Sequence, residues 1–316
     1  MVGRICGTGS YAPEEFYDNH DLSKMVDTSD EWIRERTGIV RRHIAKQDTT
    51  ASMAVHAAKR ALENGNVDPK EVDLILLATM TPNFLVPSMA CVLQKELGAE
   101  QAAGFDLNAA CSGFIFAYQT AQAYIQTGIY KTILIVGSET LSSIVNWKDR
   151  GSCILFGDGA GAVVLRAEEG ESKACVMHSN GKMGEVLLCE SRHQNKWEEK
   201  NSLLQMDGQE VFKFAVKKVP EVMQEVLDQV HMQAEDIDLY VLHQANRRII
   251  ESIAKRMKVD VERFPMNLSE YGNTSSASIP ILLDELNRSG RLQRGQKILM
   301  AGFGAGLSWG AALLEW

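Results

Sequence analysis

Three residues in this chain could together carry out acyl chemistry, and each stands where a strand-like run or a loop gives way to a helix-like one. Cys111 lies in Asp106-Leu-Asn-Ala-Ala-Cys-Ser-Gly-Phe, His243 closes Asp238-Leu-Tyr-Val-Leu-His, and Asn273 sits in Tyr271-Gly-Asn-Thr-Ser-Ser-Ala-Ser. A thiol supplies a nucleophile, an imidazole a base or a donor, and a carboxamide a donor that does not titrate near neutrality. That set suits transfer of an acyl group through a thioester, where charge develops on a carbonyl oxygen. At a helix start, unpaired N–H groups and the positive end of the helix dipole favour a thiolate at Cys111. Each residue alone also has a plain structural reading: a small core hydrophobe, a hydrogen-bonded histidine, a turn signal. Only their combination carries an argument.

The elements that must hold these residues are legible from periodicity. A short run over 102–110 precedes Cys111, and 113–128 keeps apolar residues at helical spacing before a terminal glycine. Residues 72–79 read as a buried strand, and Thr28-Ser-Asp-Glu as a capping box that starts a short helix with Trp32 in its first turn. Thr50 is expected to cap a helix to about Leu62, and Pro87 to open one ending at Gly98. A helix is expected near 139–145, followed by paired strands over 152–156 and 160–166. In the second part, 174–178 reads as a strand and 193–201 as a solvated loop. Residues 208–230 are helical in pattern, with Pro220 kinking the helix or starting another. The runs 156–165 and 303–314 each take a glycine-rich turn into an apolar strand. This echo implies two similar α/β halves, 1–169 and 170–316, joined near 166–173.

With 316 residues, 45% hydrophobic, 23% charged and a net charge of -8, the chain has an ordinary globular composition, and general nucleic-acid binding is not expected. No run approaches the length of a membrane span and the first residues lack a signal-peptide core, so a cytoplasmic location is expected. The cysteines at 6, 91, 111, 153, 175 and 189 are scattered, as for reduced thiols. Cys175, His178, Cys189 and His193 have zinc-like spacing, but strand alternation sends Cys175 and His178 to opposite sides, and no metal is expected. The glycine runs 157–161 and 302–306 lack the Lys-Ser/Thr of a phosphate loop.

Papain-like proteases also use Cys, His and Asn in this order, but their Cys-Gly-Ser-Cys-Trp signature is absent. The motifs around Cys111 and Asn273, together with Val136-Gly-Ser-Glu-Thr-Leu-Ser, Leu155-Phe-Gly-Asp-Gly-Ala-Gly, His243-Gln-Ala-Asn and Ala301-Gly-Phe-Gly-Ala-Gly-Leu-Ser-Trp-Gly, resemble the β-ketoacyl-acyl carrier protein synthase III family of thiolase-fold condensing enzymes. The likeness runs end to end. It implies an α/β thiolase-like fold of two βαβαβ-type halves layered α-β-α-β-α. The implied reaction is condensation of an acyl-CoA starter with malonyl-acyl carrier protein through an acyl-Cys111 intermediate, with His243 and Asn273 catalytic and no cofactor beyond the CoA thioester.

The same likeness puts the backbone N–H groups of Cys111 and Ala305 in an oxyanion hole; many members have glycine at the second position. It lines a CoA channel with Thr28, Trp32, Arg36, Arg150, Gly208, Phe212, Ala245 and Asn246, the adenine lying between Trp32 and Arg150. An acidic carrier protein would meet Lys213, Lys217, Arg248, Lys255 and Arg256, and Val86 would form the floor of the starter pocket. A homodimer is expected by precedent. Polyketide-type or hydroxymethylglutaryl-CoA-type relatives, and a non-catalytic acyl-binding protein, are the alternative readings.

Overall fold

Two sheets with helices between and outside them build the chain, seen here in a computed structural model that describes all residues except 172 and 192–201. The first sheet holds β1 (Val2–Tyr11), β2 (Leu74–Ala78), β3 (Ala103–Leu107), β4 (Thr132–Glu139) and β5 (Gly159–Glu168) in the order β1-β5-β4-β2-β3. The second holds β6 (Cys175–Ser179), β7 (Leu239–Leu242), β8 (Lys297–Gly304) and β9 (Ser308–Glu315) in the order β7-β8-β9-β6. The two orders correspond: the first strand of each half runs antiparallel to the last, the last closes a hairpin with the strand before it, and that strand pairs in parallel with the next. The second half has no counterpart of β3 among the described residues.

Strand β2, Leu-Ile-Leu-Leu-Ala, is buried throughout because it lies between two parallel neighbours with helices on both faces. Its register is pinned by Asp73, whose carboxylate accepts from the N–H groups of Lys131 and Thr132 at 2.8 and 2.9 Å.

The helices are α1 (Asp30–Thr37), α2 (Thr50–Asn64), α3 (Met89–Leu97), α4 (Gly113–Gln126), α5 (Gly208–Gln229), α6 (Arg247–Met257) and α7 (Ser278–Arg288). Helices α4 and α7 form the middle layer, where Phe114, Ile115, Ile279 and Leu283 pack with Leu76 and Ile135 of the first sheet and Val241 and Met300 of the second. Helices α2 and α3 cover the outer face of the first sheet, and α5 and α6 that of the second. The result is the expected five-layer α-β-α-β-α arrangement.

Local details correct the sequence reading. Ser29 rather than Thr28 caps α1, accepting from the Trp32 N–H at 3.1 Å, and Thr49 rather than Thr50 caps α2. Helix α5 continues through buried Pro220 without dividing. Residues 139–145 hold only a single tight turn, Leu141–Ser143, after β4. The pairing of 152–156 with 160–166 does not form. Asp149 caps a short helix, Arg150–Cys153, through the Gly151 N–H at 2.9 Å and the Ser152 hydroxyl at 2.6 Å, and β5 pairs instead with β1 and β4. Cys175 packs toward the middle layer while His178 reaches Glu225 at 2.7 Å, so the two lie on opposite faces of β6. His193 and the loop expected over 193–201 lie outside the described residues.

Candidate active site

Cys111, His243 and Asn273 open onto one cavity of about 510 Å³, also bordered by Trp32, Arg36, Phe212 and Phe303. Cys111 borders a second space of about 860 Å³ on its other side, with Thr81, Phe84, Asn108, Leu204 and Ala305. The sulfur therefore stands where two cavities meet.

A tight turn, Ala110–Ser112, carries Cys111 from β3 into α4, and Ala110 takes a left-handed φ of 46° to make the corner. Cys111 is buried, and burial pushes its thiol up to about 12, while the Ser275 hydroxyl beside it acts in the opposite sense. Loss of water at the buried sulfur therefore opposes the thiolate that the helix start was expected to favour. His243 is likewise held neutral, its pKa lowered to about 3 by burial. Burial thus disfavours charge on both side chains.

The His243 ring lies edge-on to Phe303, with centroids 5.2 Å apart, and its Nδ1 is 2.7 Å from the Ser278 hydroxyl. The Asn273 backbone is tied into the first half: its N–H donates to the Leu155 carbonyl at 2.8 Å and its own carbonyl accepts from Gly157 at 3.0 Å. Its side-chain Oδ1 accepts from the Ser275 N–H at 2.9 Å. The acceptor end of the amide is occupied, so the NH₂ end is the one free to serve a ligand oxygen.

Gly304 must lack a side chain, because a Cβ there would lie 2.8 Å from both the N and the Cβ of Cys111. That close approach brings Ala305 beside the nucleophile, and Ala305 is not among the residues with left-handed φ, so its Cβ introduces no strain. Glu139, fully buried, accepts from Thr79, Met80 and Thr81 on one oxygen and from Ser275 and Ser276 on the other. Burial raises its pKa. It fastens the start of α7 to the first half.

Of the residues assigned to a CoA channel, Trp32, Arg36, Gly208, Phe212, Ala245 and Asn246 line the outer cavity. Arg150 lies with its guanidinium 5.0 Å above the Trp32 ring, so a purine between them must displace it. Thr28 does not line the cavity, yet its Oγ1 is one of two buried side-chain polar atoms without a partner among the described residues. Lys213, Lys217, Arg248, Lys255 and Arg256 are all exposed on the neighbouring α5 and α6, with Lys213 paired to Glu210 at 2.7 Å. Val86 borders neither cavity of its own chain and is 85% exposed, on the loop whose Phe84 lines the second cavity. Sequence reasoning missed Ser275, Ser278 and Glu139; all three lie in quoted motifs, but only tertiary contact reveals their partners.

Comparison with known proteins follows the same lines. The family model described as 3-oxoacyl-[acyl-carrier-protein (ACP)] synthase III matches residues 105–184, and that for its C-terminal part matches 227–316. The chain is 50% identical to beta-ketoacyl-[acyl-carrier-protein] synthase III of Clostridium acetobutylicum over 99% of this chain and 98% of that protein. It superposes on the crystal structure of 3-oxoacyl-[acyl-carrier-protein] synthase III from Aquifex aeolicus VF5 with a TM-score of 0.95 and 45% identity, covering 99% and 100% of the two chains. The priming beta-ketosynthase of the R1128 polyketide biosynthetic pathway matches with a TM-score of 0.95 and 37% identity, over 99% and 96% of the chains.

Proposed function

Because this chain belongs to the 3-oxoacyl-[acyl-carrier-protein] synthase III family, we propose that Cys111, His243 and Asn273 carry out its initiating condensation in fatty acid synthesis in two half-reactions at one sulfur. In the first, Cys111 attacks the thioester carbonyl of an acyl-CoA, a new S–C bond forms, and CoA leaves with the proton. The backbone N–H groups of Cys111 and Ala305 hold the oxygen as charge develops on it. Because burial raises the Cys111 pKa and disfavours a free thiolate, His243 takes the thiol proton as attack proceeds and charge passes from sulfur to that oxygen.

In the second half-reaction the malonyl thioester of an acyl carrier protein loses carbon dioxide. The electron pair of the broken C–C bond moves onto the thioester as an enolate, whose oxygen is held by His243 and the Asn273 NH₂. The carbanion carbon then displaces Cys111 from the acyl group and releases a 3-oxoacyl-carrier protein. The observation that carries this reading is the Asn273 amide, fixed by the Ser275 N–H so that its donor end is left for a ligand. Intact-protein mass after incubation with acetyl-CoA tests it: a covalent acyl adduct absent from Cys111→Ala supports the enzyme, and no adduct with any acyl-CoA favours an acyl-binding protein.

We propose that CoA lies along Trp32, Arg36, Gly208, Phe212, Ala245 and Asn246, with Arg150 moving to cover the adenine. The exposed cations of α5 and α6 offer a carrier-protein surface, its affinity falling as salt rises. A second copy is expected over the open edge strand β3, where Phe105 is 37% exposed; Phe84, Leu85 and Val86 are exposed as well, and Val86 would bear on starter choice through such a contact. Sedimentation velocity checks the dimer. The chemistry requires no cofactor or metal and suits a cytoplasmic enzyme. The polyketide priming neighbour keeps a second reading open, the same condensation with a different starter or carrier, which competition between acyl-CoAs would distinguish.

A further inference from the structure

The Ser278 hydroxyl lies 2.7 Å from His243 Nδ1 and 2.9 Å from the Ser275 carbonyl oxygen, with the Gln244 N–H pointing at it from 3.4 Å. A hydroxyl has one proton and two lone pairs. When its proton points to the Ser275 carbonyl, the histidine must donate from Nδ1, and Nε2 presents a lone pair. When the proton points to Nδ1, the ring must carry its own proton on Nε2, which then donates. The half-reactions of the proposed function need opposite forms: a lone pair to take the thiol proton as Cys111 attacks, and an N–H to hold the enolate oxygen.

We propose that Ser278 is a positioning residue whose single hydroxyl proton lets His243 work in both tautomers, Nδ1–H during acylation and Nε2–H during decarboxylation. During acylation Nε2 takes one proton from Cys111 and passes it to the departing CoA sulfur, so the ring ends as it began. Between the half-reactions Nε2 takes a proton from water refilling the channel that His243 borders, Nδ1 gives one up to the same water as the ring turns briefly toward that channel, and on its return the Ser278 proton points to Nδ1 instead of the carbonyl. Burial of both side chains keeps other partners away, with His243 at 1% and Ser278 at 2% exposure. The Gln244 N–H can only donate, so it stabilises the oxygen without competing for its acceptor role.

This inference rests on the two-step condensation above, and its test separates the two. The half-reactions are measured apart, acyl-Cys111 formation from acetyl-CoA by rapid-quench mass spectrometry and carbon dioxide release from malonyl-carrier protein, in wild type and Ser278→Ala. Removing the acceptor of Nδ1–H favours Nε2–H. Acylation is therefore expected to slow at least about tenfold, equivalent to about 1.4 kcal/mol, while decarboxylation stays within about threefold. Equal slowing of both, or of neither, overturns the tautomer role. If wild type forms no acyl-enzyme, the underlying function fails instead. Independently of how the variant folds, ¹⁵N NMR of histidine-labelled wild type, with His243 assigned by difference against His243→Gln, should show Nδ1 protonated in the resting enzyme. A resting Nε2–H tautomer overturns the proposal.

Discussion

The starts of α4 and α7 are built alike and used differently. Each begins with an asparagine, Asn108 or Asn273, whose Oδ1 accepts from the backbone N–H two residues on, at 3.2 and 2.9 Å. Each continues through a tight turn with a left-handed non-glycine residue, Ala110 at φ 46° or Ser275 at φ 52°, into a middle-layer helix. The fourth residue is Cys111 in one and Ser276 in the other. Ser276 has its proton committed, its hydroxyl lying 3.0 Å from the Ala78 carbonyl and 2.9 Å from Glu139, whereas Cys111 opens to both chambers. The same corner therefore gives a fastening in the second half and, in the first, a thiol that borders both cavities. Strained backbone is not enough: the side chain must also be open to a cavity that substrate can enter.

Making the first start resemble the second breaks the comparison most severely. Cys111→Ser places a poorly ionising hydroxyl where no base is already bonded to it, and acyl-enzyme formation is expected to fall about 10³-fold, or ~4 kcal/mol, as read by quench-flow mass spectrometry. Near-normal acylation would mean that position rather than the thiol sets the rate.

The second start carries His243 through Ser278, and its buried neutral imidazole makes the fold sensitive to acid. The folded pKa is lowered to about 3 from an unfolded value of 6.5, so the unfolded chain binds the extra proton between those values and stability falls as pH drops from 6.5 toward 3. Between pH 6.5 and 4 this amounts to on the order of 3 kcal/mol. Glu139 and Asp158, whose pKa values burial raises, act in the opposite direction, so the histidine is isolated by difference. His243→Gln should lose less stability than wild type over that interval in urea titrations, and identical pH dependence would contradict the assignment.

Ser276→Ala should have the smallest effect. Glu139 keeps Thr79, Met80, Thr81 and Ser275, so a stability loss of about 1–2 kcal/mol by denaturant melt is expected, with acylation within a few-fold of wild type. A collapse of activity would make Ser276 part of the chemistry and blur the distinction between the two starts.

Much of this was legible in the sequence because apolar runs and glycine stops mark the strands and helices whose ends hold Cys111, His243 and Asn273. The echo of the two hairpins announced the paired halves. The deeper repeat, Asn108-Ala-Ala-Cys-Ser-Gly against Asn273-Thr-Ser-Ser-Ala-Ser, was hidden because only the first residue is shared in type and position; the likeness lies in backbone angles. Residues 152–156 misled because Cys-Ile-Leu-Phe has strand composition, while Asp149 caps a helix there and Phe156 makes only an isolated bridge to Asn273. Nor could spacing show that burial holds Cys111 as a thiol, since desolvation depends on every layer around it.

The central claim, that the two starts divide the chemistry between a nucleophile and an enolate-stabilising donor, is tested most directly by measuring acyl-enzyme mass and labelled carbon dioxide release side by side in Cys111→Ala and Asn273→Ala. Asn273→Ala should still form the acyl-enzyme but lose decarboxylation by about 3–4 kcal/mol, the usual cost of one such donor. Cys111→Ala should form no acyl-enzyme and keep some decarboxylation. Carbon dioxide release at the wild-type rate in Asn273→Ala would contradict the account.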